Sequence, residues 1–243
     1  MRAIVLHEFG PAENLVYEEV EEEVLKDLIR EGRVTVNGEV VSLGERIDPV
    51  ADRVEVDGAR VPLDPELRYF ALNKPRGVVT TARDPQRRPD VSRFYPSGTR
   101  VFPVGRLDRD TEGLLLLTND GELAHRLAHP RHGVEKEYLA EVEGTVTERH
   151  VARLRRGVDL QDGVARAVGA RSVGRSGDRG AIRLVMTEGR KREVRRMLDA
   201  IGLPVRRLVR TRLGSIKLGK LKPGEVRDLT AEEVRGLYRV AGL

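Results

Sequence analysis

The sequence predicts an α+β protein in two parts, with a mostly antiparallel sheet in the larger one. Three observations carry that expectation. Alternating, strand-like segments outnumber helical ones. Several are hairpin-linked, two of them through Asn-Gly or Asp-Gly, the strongest short hairpin signals. No repeat with a period of about 20–50 residues and no low-complexity tract points to another architecture.

Residues 24–64 read as a small unit. Val24, Leu25, Leu28 and Ile29 have helical spacing, and Gly32 is placed to end that helix. RVTVNGEVV then forms two alternating strands turning at Asn37-Gly38, and DRVEVDGARVPL adds a pair around Asp57-Gly58. The linker DPELR leads into one larger domain, residues 68–243. There YFALNKPRGVVTT reads as a strand broken at Lys74-Pro75 and Gly77, and ARDPQRRPDVSRFYPSGTR as a loop rich in proline and arginine.

PVGRLDRDTEGLLLLTNDG sets Arg106, Asp108, Arg109, Asp110 and Glu112 directly before an apolar run, Leu114 to Leu117. Asn119-Asp120-Gly121 turns into a short helix with Leu123, Ala124, Leu127 and Ala128 on one face and Pro130 at its end. EKEYLAEVEG alternates, with Tyr138, Ala140 and Val142 on one side, and AIRLVMTEG alternates again. REVRRMLDAIG is an amphipathic helix with Val194, Met197, Leu198 and Ile201 inward and Gly202 as its stop. PVRRLVRTRLG follows as a strand that places Arg206, Arg210 and Arg212 on one face.

Composition bounds the class. In 243 residues, 39% hydrophobic content can fill a core, while 34% charge and a mean hydropathy of −0.41 favour a water-soluble chain. No apolar run approaches the ~18 residues of a membrane span. The N-terminus lacks a signal-peptide layout. There is no cysteine, so disulfides and Cys-ligated metals are excluded, and the expected compartment is the cytoplasm. Aromatics are 4% with no Trp, too few for a broad base-stacking platform. Net charge is +5, but residues 1–31 carry 9 acids and 3 bases, leaving an excess of bases downstream. Arg183 to Leu213 alone has ten Arg and Lys against three acids. That distribution is the footprint of a polyanionic partner, nucleic acid in the first place.

Few residues can carry chemistry. His125, His129 and His132 are close together, but HxxxH lacks the glutamate of a zincin, so they read as helix-surface or phosphate-contacting side chains and no metal is expected. A Walker loop, a dinucleotide fingerprint and a nucleophile elbow are all missing from the sequence. Carboxylates remain. Asp108 has an arginine two residues before and one after, with a turn-to-strand element behind it. An arginine within ~4–6 Å would keep it ionised, and an oriented, partly desolvated carboxylate can act as nucleophile or base. From the residues alone, a structural salt bridge is the alternative.

GRLDRDTEGLLLLTNDGELAHRLAHP closely resembles the signature of the RsuA/RluB-type pseudouridine synthases. LNKPRGVVTT is similar to that family's first motif, VEKEYLAEVEG to the motif with its active-site tyrosine, and TEGRKREVRRMLDAIGLPVRRLVRTRLGSIKL to its third motif and following strand. The blocks are in family order over about residues 69–238, and the EGRKREVRRM form is most similar to large-subunit, RluB-type enzymes. The resemblance implies isomerisation of uridine to pseudouridine in ribosomal RNA, of the large-subunit 23S type, by a monomer that needs no cofactor or metal. It implies that Asp108 is the essential aspartate, through a covalent adduct or a glycal intermediate. Tyr138 would stack on the flipped uracil, and Arg195 would pair with Asp108. Arg106 would fill the space the base leaves, and Lys74, counted among the RNA-binding residues, would help brace the first motif near the site. Arg206, Arg210 and Arg212 would contact phosphate. A non-catalytic ribosome assembly factor on the same fold, or a hydrolase pairing Asp108 with Glu112, are the competing readings.

Residues 24–64 resemble the later part of an S4 RNA-binding domain, especially LIREGRVTVNGEVV. That family's basic first helix is replaced by MRAIVLHEFGPAENLVYEEVEEE, residues 1–23, which resembles the start of a quinone-reductase-like chain and is acidic. An acidic leader repels phosphate.

Overall fold

The computed structural model describes residues 26–48, 52–61, 66–81, 86 and 88–243. The acidic leader, residues 1–23, lies outside them. The chain divides into two compact units, one of residues up to Leu67 with Gly242 and Leu243, the other of Arg68–Ala241.

In the small unit, helix α1 covers residues 26–30. The amides of Gly32 and Arg33 donate back to the carbonyls of Ile29 and Leu28, with Gly32 at φ 70°, which closes the helix. Strands β1 (Val34–Val36) and β2 (Glu39–Val40) join at Asn37-Gly38, and β3 (Val54–Val56) and β4 (Ala59–Arg60) at Asp57-Gly58. All four turn residues have positive φ, as two-residue hairpins with the right twist require. The strand order is β2-β1-β3-β4, over a core of Ile29, Val34, Val41, Val54 and Val56.

The large unit runs β5 (Tyr69–Lys74), β6 (Phe102–Pro103), β7 (Glu112–Thr118), α2 (Gly121–Ala128), β8 (Lys136–Glu143), α3 (Glu148–Arg156), β9 (Val158–Leu160), β10 (Gly163–Ala165), β11 (Gly169–Ser176), β12 (Arg179–Met186), α4 (Glu193–Ala200), β13 (Val205–Leu213), β14 (Ile216–Lys217), β15 (Val226–Asp228) and α5 (Ala231–Ala241). Its main sheet has the order β11-β12-β8-β13-β7-β5-β15, with β14 on β13 and β6 on β7. Among the described residues its strand pairs are antiparallel except β7 with β13. The predicted α+β class holds. Helices α3 and α5 and the β9–β10 hairpin are additions that periodicity did not mark.

Strand β7 is central. Leu114, Leu115, Leu116 and Leu117 are all buried, because both faces of the strand are covered. Leu115 and Leu117 pack with Phe70, Leu72, Val91 and Val101. Each such leucine contributes roughly 1.5–3 kcal/mol by leaving water. A second cluster joins Ala140, Val142, Ile182 and Leu184 of the sheet to Val151 and Leu154 of α3 and Val194, Met197 and Leu198 of α4. Tyr138 packs against both clusters.

Where β7 meets β13, Gly113 sits at φ 103°. A Cβ there would fall 2.7 Å from the Arg210 amide nitrogen, 2.9 Å from Val209 Cγ1, and still closer to the Arg210 carbonyl oxygen. Only glycine lets the two backbones approach this closely.

Three bases are buried in this sheet region. Lys74 is 0% exposed, with Nζ donating to the carbonyls of Pro75 and Val78; Arg210 is 2% exposed, with Nε donating to the Leu114 carbonyl at 2.7 Å. Lys136 donates to the Val134 carbonyl. Burial pulls the ammonium groups of Lys74 and Lys136 down to about 8.

Gly113→Ala is expected to destabilise the protein by roughly 3 kcal/mol or more, from left-handed strain plus overlap with β13. Urea unfolding measures it, and a wild-type midpoint would refute the close approach. Burial of Lys136 has a pH signature. An unfolded lysine titrates near about 10.4, so between about pH 8 and that value the unfolded chain holds the extra proton. Stability from this group therefore rises with pH across that window. Lys136→Met should gain most over wild type below about pH 8, and its advantage should shrink toward pH 10. Thermal midpoints of the pair across pH test this; a constant difference would mean that Lys136 titrates normally.

Candidate active site

Asp108 lies in the turn that feeds β7, and every residue of that turn is tied down. The Leu107 amide donates to Thr80 Oγ1 (3.1 Å), whose hydroxyl donates to the Leu107 carbonyl (2.7 Å). The Thr111 amide donates to the Asp108 carbonyl at 3.0 Å, and the Gly77 amide to the Arg109 carbonyl at 2.7 Å. Asp110 is gripped from α4. Arg192 Nη1 donates to its Oδ1 at 2.8 Å, Arg195 Nη2 donates to its backbone carbonyl at 2.9 Å, and Arg195 Nε lies 3.4 Å from its Oδ2. Arg195 Nη1 also reaches the Val205 carbonyl.

The clamp is electrostatically one-sided. Burial raises the Asp110 carboxyl, but the Arg192 hydrogen bond and the two guanidinium charges outweigh it and hold Asp110 below the usual carboxylate range. Burial lowers Arg195, and Asp110 opposes that. Arg192 sits at the start of α4 in the left-handed region, φ 52°. A non-glycine residue there is strained, and strain of this kind concentrates at functional sites.

The turn opens into a cleft of about 750 Å3, lined among others by Arg106, Asp108, Tyr138, Arg190, Lys191 and Arg192. Three carboxylates of the described residues line it: Asp108, Glu188 and Glu193. Arg190 Nε holds Glu188 at 2.9 Å and Glu193 at 3.0 Å. Its guanidinium also donates to the carbonyls of Asp162, Gly163 and Val164, pinning the β9–β10 turn to the cleft wall. Among the described residues, no cation forms an ion pair with Asp108 within 4 Å. Burial raises Glu193 above the usual range, with Arg190 opposing.

Asp108, Tyr138 and Arg106 are thus brought to one cleft. Tyr138 is half-buried in β8, and Arg106 is exposed at the rim. Three expectations need correction. Arg195 pairs with Asp110, not Asp108, because its guanidinium reaches the turn from behind the cleft. Lys74 is buried, so it braces the first-motif loop through Pro75 and Val78 and is not a surface RNA contact.

The β13 arginines do not share a face. Bulges between Val205 and Arg207 and between Arg210 and Arg212 break the alternation, so Arg210 lies opposite Tyr138 and Arg212 opposite Glu137, on different faces. Arg210 is buried on the Leu114 carbonyl, Arg212 binds Glu135 at 2.8 Å, and Arg206 binds Glu143 at 3.1 Å.

Nothing in the sequence pattern singles out Asp110, Thr80, Arg190 or Arg192, apart from the place of Asp110 two residues after Asp108. His125, His129 and His132 form a surface cluster with ring centroids 5.2–6.2 Å apart, and Arg131 Nε donates to His132 Nε2. Among the described residues, no group of three or more such side chains is placed to hold a metal ion.

Known proteins resemble this chain in sequence and fold. The profile of the RNA pseudouridylate synthase family matches residues 68–200. An uncharacterised RNA pseudouridine synthase of Mycobacterium tuberculosis is 50% identical over 221 residues, covering 89% of this chain and 87% of the relative. The ribosomal large subunit pseudouridine synthase B of Bacillus subtilis is 41% identical over 220 residues, 89% of each chain. That of Vibrio cholerae is 44% identical over 226 residues, 90% of this chain and 70% of the relative. A solved pseudouridylate synthase crystal structure superposes with a TM-score of 0.64 at 32% identity, covering 93% of this chain and 98% of that one. With its braced Asp108 turn opening on a cleft faced by Tyr138, the chain belongs to the RNA pseudouridine synthase family.

Proposed function

We propose that this enzyme isomerises a specific uridine of ribosomal RNA, in the large subunit, to pseudouridine, with Asp108 as the catalytic aspartate. The observation that carries the reading is the state of the cleft carboxylates. Arg190 occupies both glutamates, while Asp108 faces the cleft without a cation within 4 Å. Its backbone is fixed and its carboxylate is available to the substrate. Two relatives named for the ribosomal large subunit support the choice of RNA.

The chemistry follows from the positions. The target nucleotide leaves its stack to enter the cleft, and Arg106 at the rim takes the vacated space. Tyr138, held between two core clusters, offers a rigid ring for the uracil to stack on. The N1–C1′ bond breaks, the uracil turns, C5 joins C1′, and the proton leaving C5 is balanced by one gained at N1. Nothing is oxidised and no group is gained or lost. Asp108 serves as nucleophile at C1′ or as base on the ribose. We read residues 24–64 as a partial S4-like RNA-binding unit, and the enzyme as a cytoplasmic monomer.

Asp108→Asn should keep the fold and RNA affinity and abolish pseudouridine formation. Mapping pseudouridine in ribosomal RNA from a deletion strain, complemented with wild type or Asp108→Asn, tests this and names the site. Unchanged ribosomal pseudouridine in the deletion strain would sink the proposal. Asp110 acts through Asp108, as a positioning residue. Asp110→Asn should lower kcat by about 10- to 100-fold with little change in KM, since small misplacements of a reacting group cost that much. It also leaves Arg195 buried and half-partnered, so Arg192→Gln serves as the milder variant and should lower kcat with a smaller drop in Tm. Wild-type kcat in both would dismiss the clamp.

A further inference from the structure

We infer that the outer face of α3 is a second RNA-contacting surface, which holds the phosphodiester backbone of the substrate outside the cleft. The inference rests on the proposed RNA substrate. Arg149, Arg153 and Arg156 stand at i, i+4 and i+7 on one face of α3, all exposed, while Val151 and Leu154 face the core. The stripe is about 10 Å long at the helical rise. Arg166, also exposed, donates from Nε to the Arg156 carbonyl at 2.8 Å and extends it. Among the described residues, no carboxylate lies within 4 Å of any of the four guanidinium groups. Exposed arginines of β13 contrast with them, since Arg206 and Arg207 each hold a glutamate.

The fold itself does not call for this stripe. Like charges at i, i+4 weaken a helix. Arg153 and Arg156 complement the negative end of α3, which amounts to roughly half a charge. Arg149 stands in the first turn, where the helix end is positive, so it opposes the dipole. What the four share is the guanidinium fork, which suits phosphate oxygens. The surface is tied to the cleft by hydrogen bonds. Arg190 in the cleft wall holds the β9–β10 turn at Asp162, Gly163 and Val164, and Arg166, just after β10, holds the end of α3. RNA bound along α3 is therefore tied to the cleft through the hairpin that Arg190 of the cleft wall holds.

The test uses the full chain with R149Q, R153Q, R156Q and R166Q combined, beside the same four positions changed to Lys. Two probes are used: a long transcript of large-subunit ribosomal RNA, and a short single-stranded oligonucleotide centred on uridine. Affinity is measured across salt. With the long transcript, the slope of log K against log salt should fall by about 3 in the Gln variant, at 0.7–0.9 per phosphate contact. The Lys variant should keep the wild-type slope, and the slope for the short probe should change by less than about 1 in both variants. An equal slope for wild type and Gln variant on the long transcript overturns the inference, as does an equal loss in the Lys variant, which would mean structural damage. Wild type that modifies the transcript while slopes stay equal leaves the proposed function standing and removes only this surface. Wild type that neither binds nor modifies the transcript removes both.

Discussion

The carboxylate of Asp110, held by two guanidinium groups from α4, is the contact on which the site depends. It joins residues more than eighty positions apart in sequence and fixes the turn that presents Asp108. A buried ion pair is a poor source of net stability, because desolvation offsets most of the attraction. Its value here is specification. Arg195 gives up water to reach Asp110, so any arrangement that moves the turn away from α4 leaves a buried charge without a partner. That penalty selects one position for Asp108 among the many a loop could take. The clamp depends in turn on the sheet. Because β13 follows α4 and runs beside β7, α4 is delivered to the Asp108 turn, and Gly113 permits the close approach of those strands.

The same frame explains which features were legible in the sequence. Periodicity marks β7, β8 and β12 and the two amphipathic helices, since each buries one regular face or both faces. Helix α3 carries no clear periodic signal, because ERHVARLRR offers only Val151 and Leu154 to the core and reads as a charged run. Simple alternation puts the β13 arginines on one face, but two bulges that no residue pattern announces break it. Pairing Arg195 with Asp108 failed by two residues. The pairing came from the resemblance alone, which brings Arg195 to this turn but does not say which of two neighbouring carboxylates points backward, and that choice is tertiary.

Arginine count is a poor guide to the RNA surface for the same reason. The segment after Arg183 is the most basic part of the catalytic domain, yet much of its charge is turned inward or neutralised. Arg190, Arg192, Arg195 and Arg196 tie α4 and its leading loop to Asp110, Glu188, Glu193 and Asp162, and Arg210 sits under the sheet. These groups build the cleft. Lys191 on the cleft lining and Arg106 on the rim have no such carboxylate within 4 Å, and neither do the α3 arginines, among the described residues. A field that steers a polyanion comes from charge that is not already matched.

That division of labour also accounts for the isolation of Asp108. A cleft that admitted a phosphate backbone, as proposed, would need a positive edge, and such an edge would ordinarily attract its own carboxylates and collapse onto them. Here the acids that could do so are occupied. Arg190 takes Glu188 and Glu193 and spends its remaining donors on the β9–β10 turn, while Asp110 absorbs Arg192 and Arg195. With those pairs satisfied internally, Arg106 at the rim and Asp108 in the cleft keep no ion pair within 4 Å among the described residues, as the proposed chemistry requires. Neutralising the clamp would therefore do more than loosen a turn: it would release two cations beside Asp108 and offer it the ion pair that the native arrangement withholds.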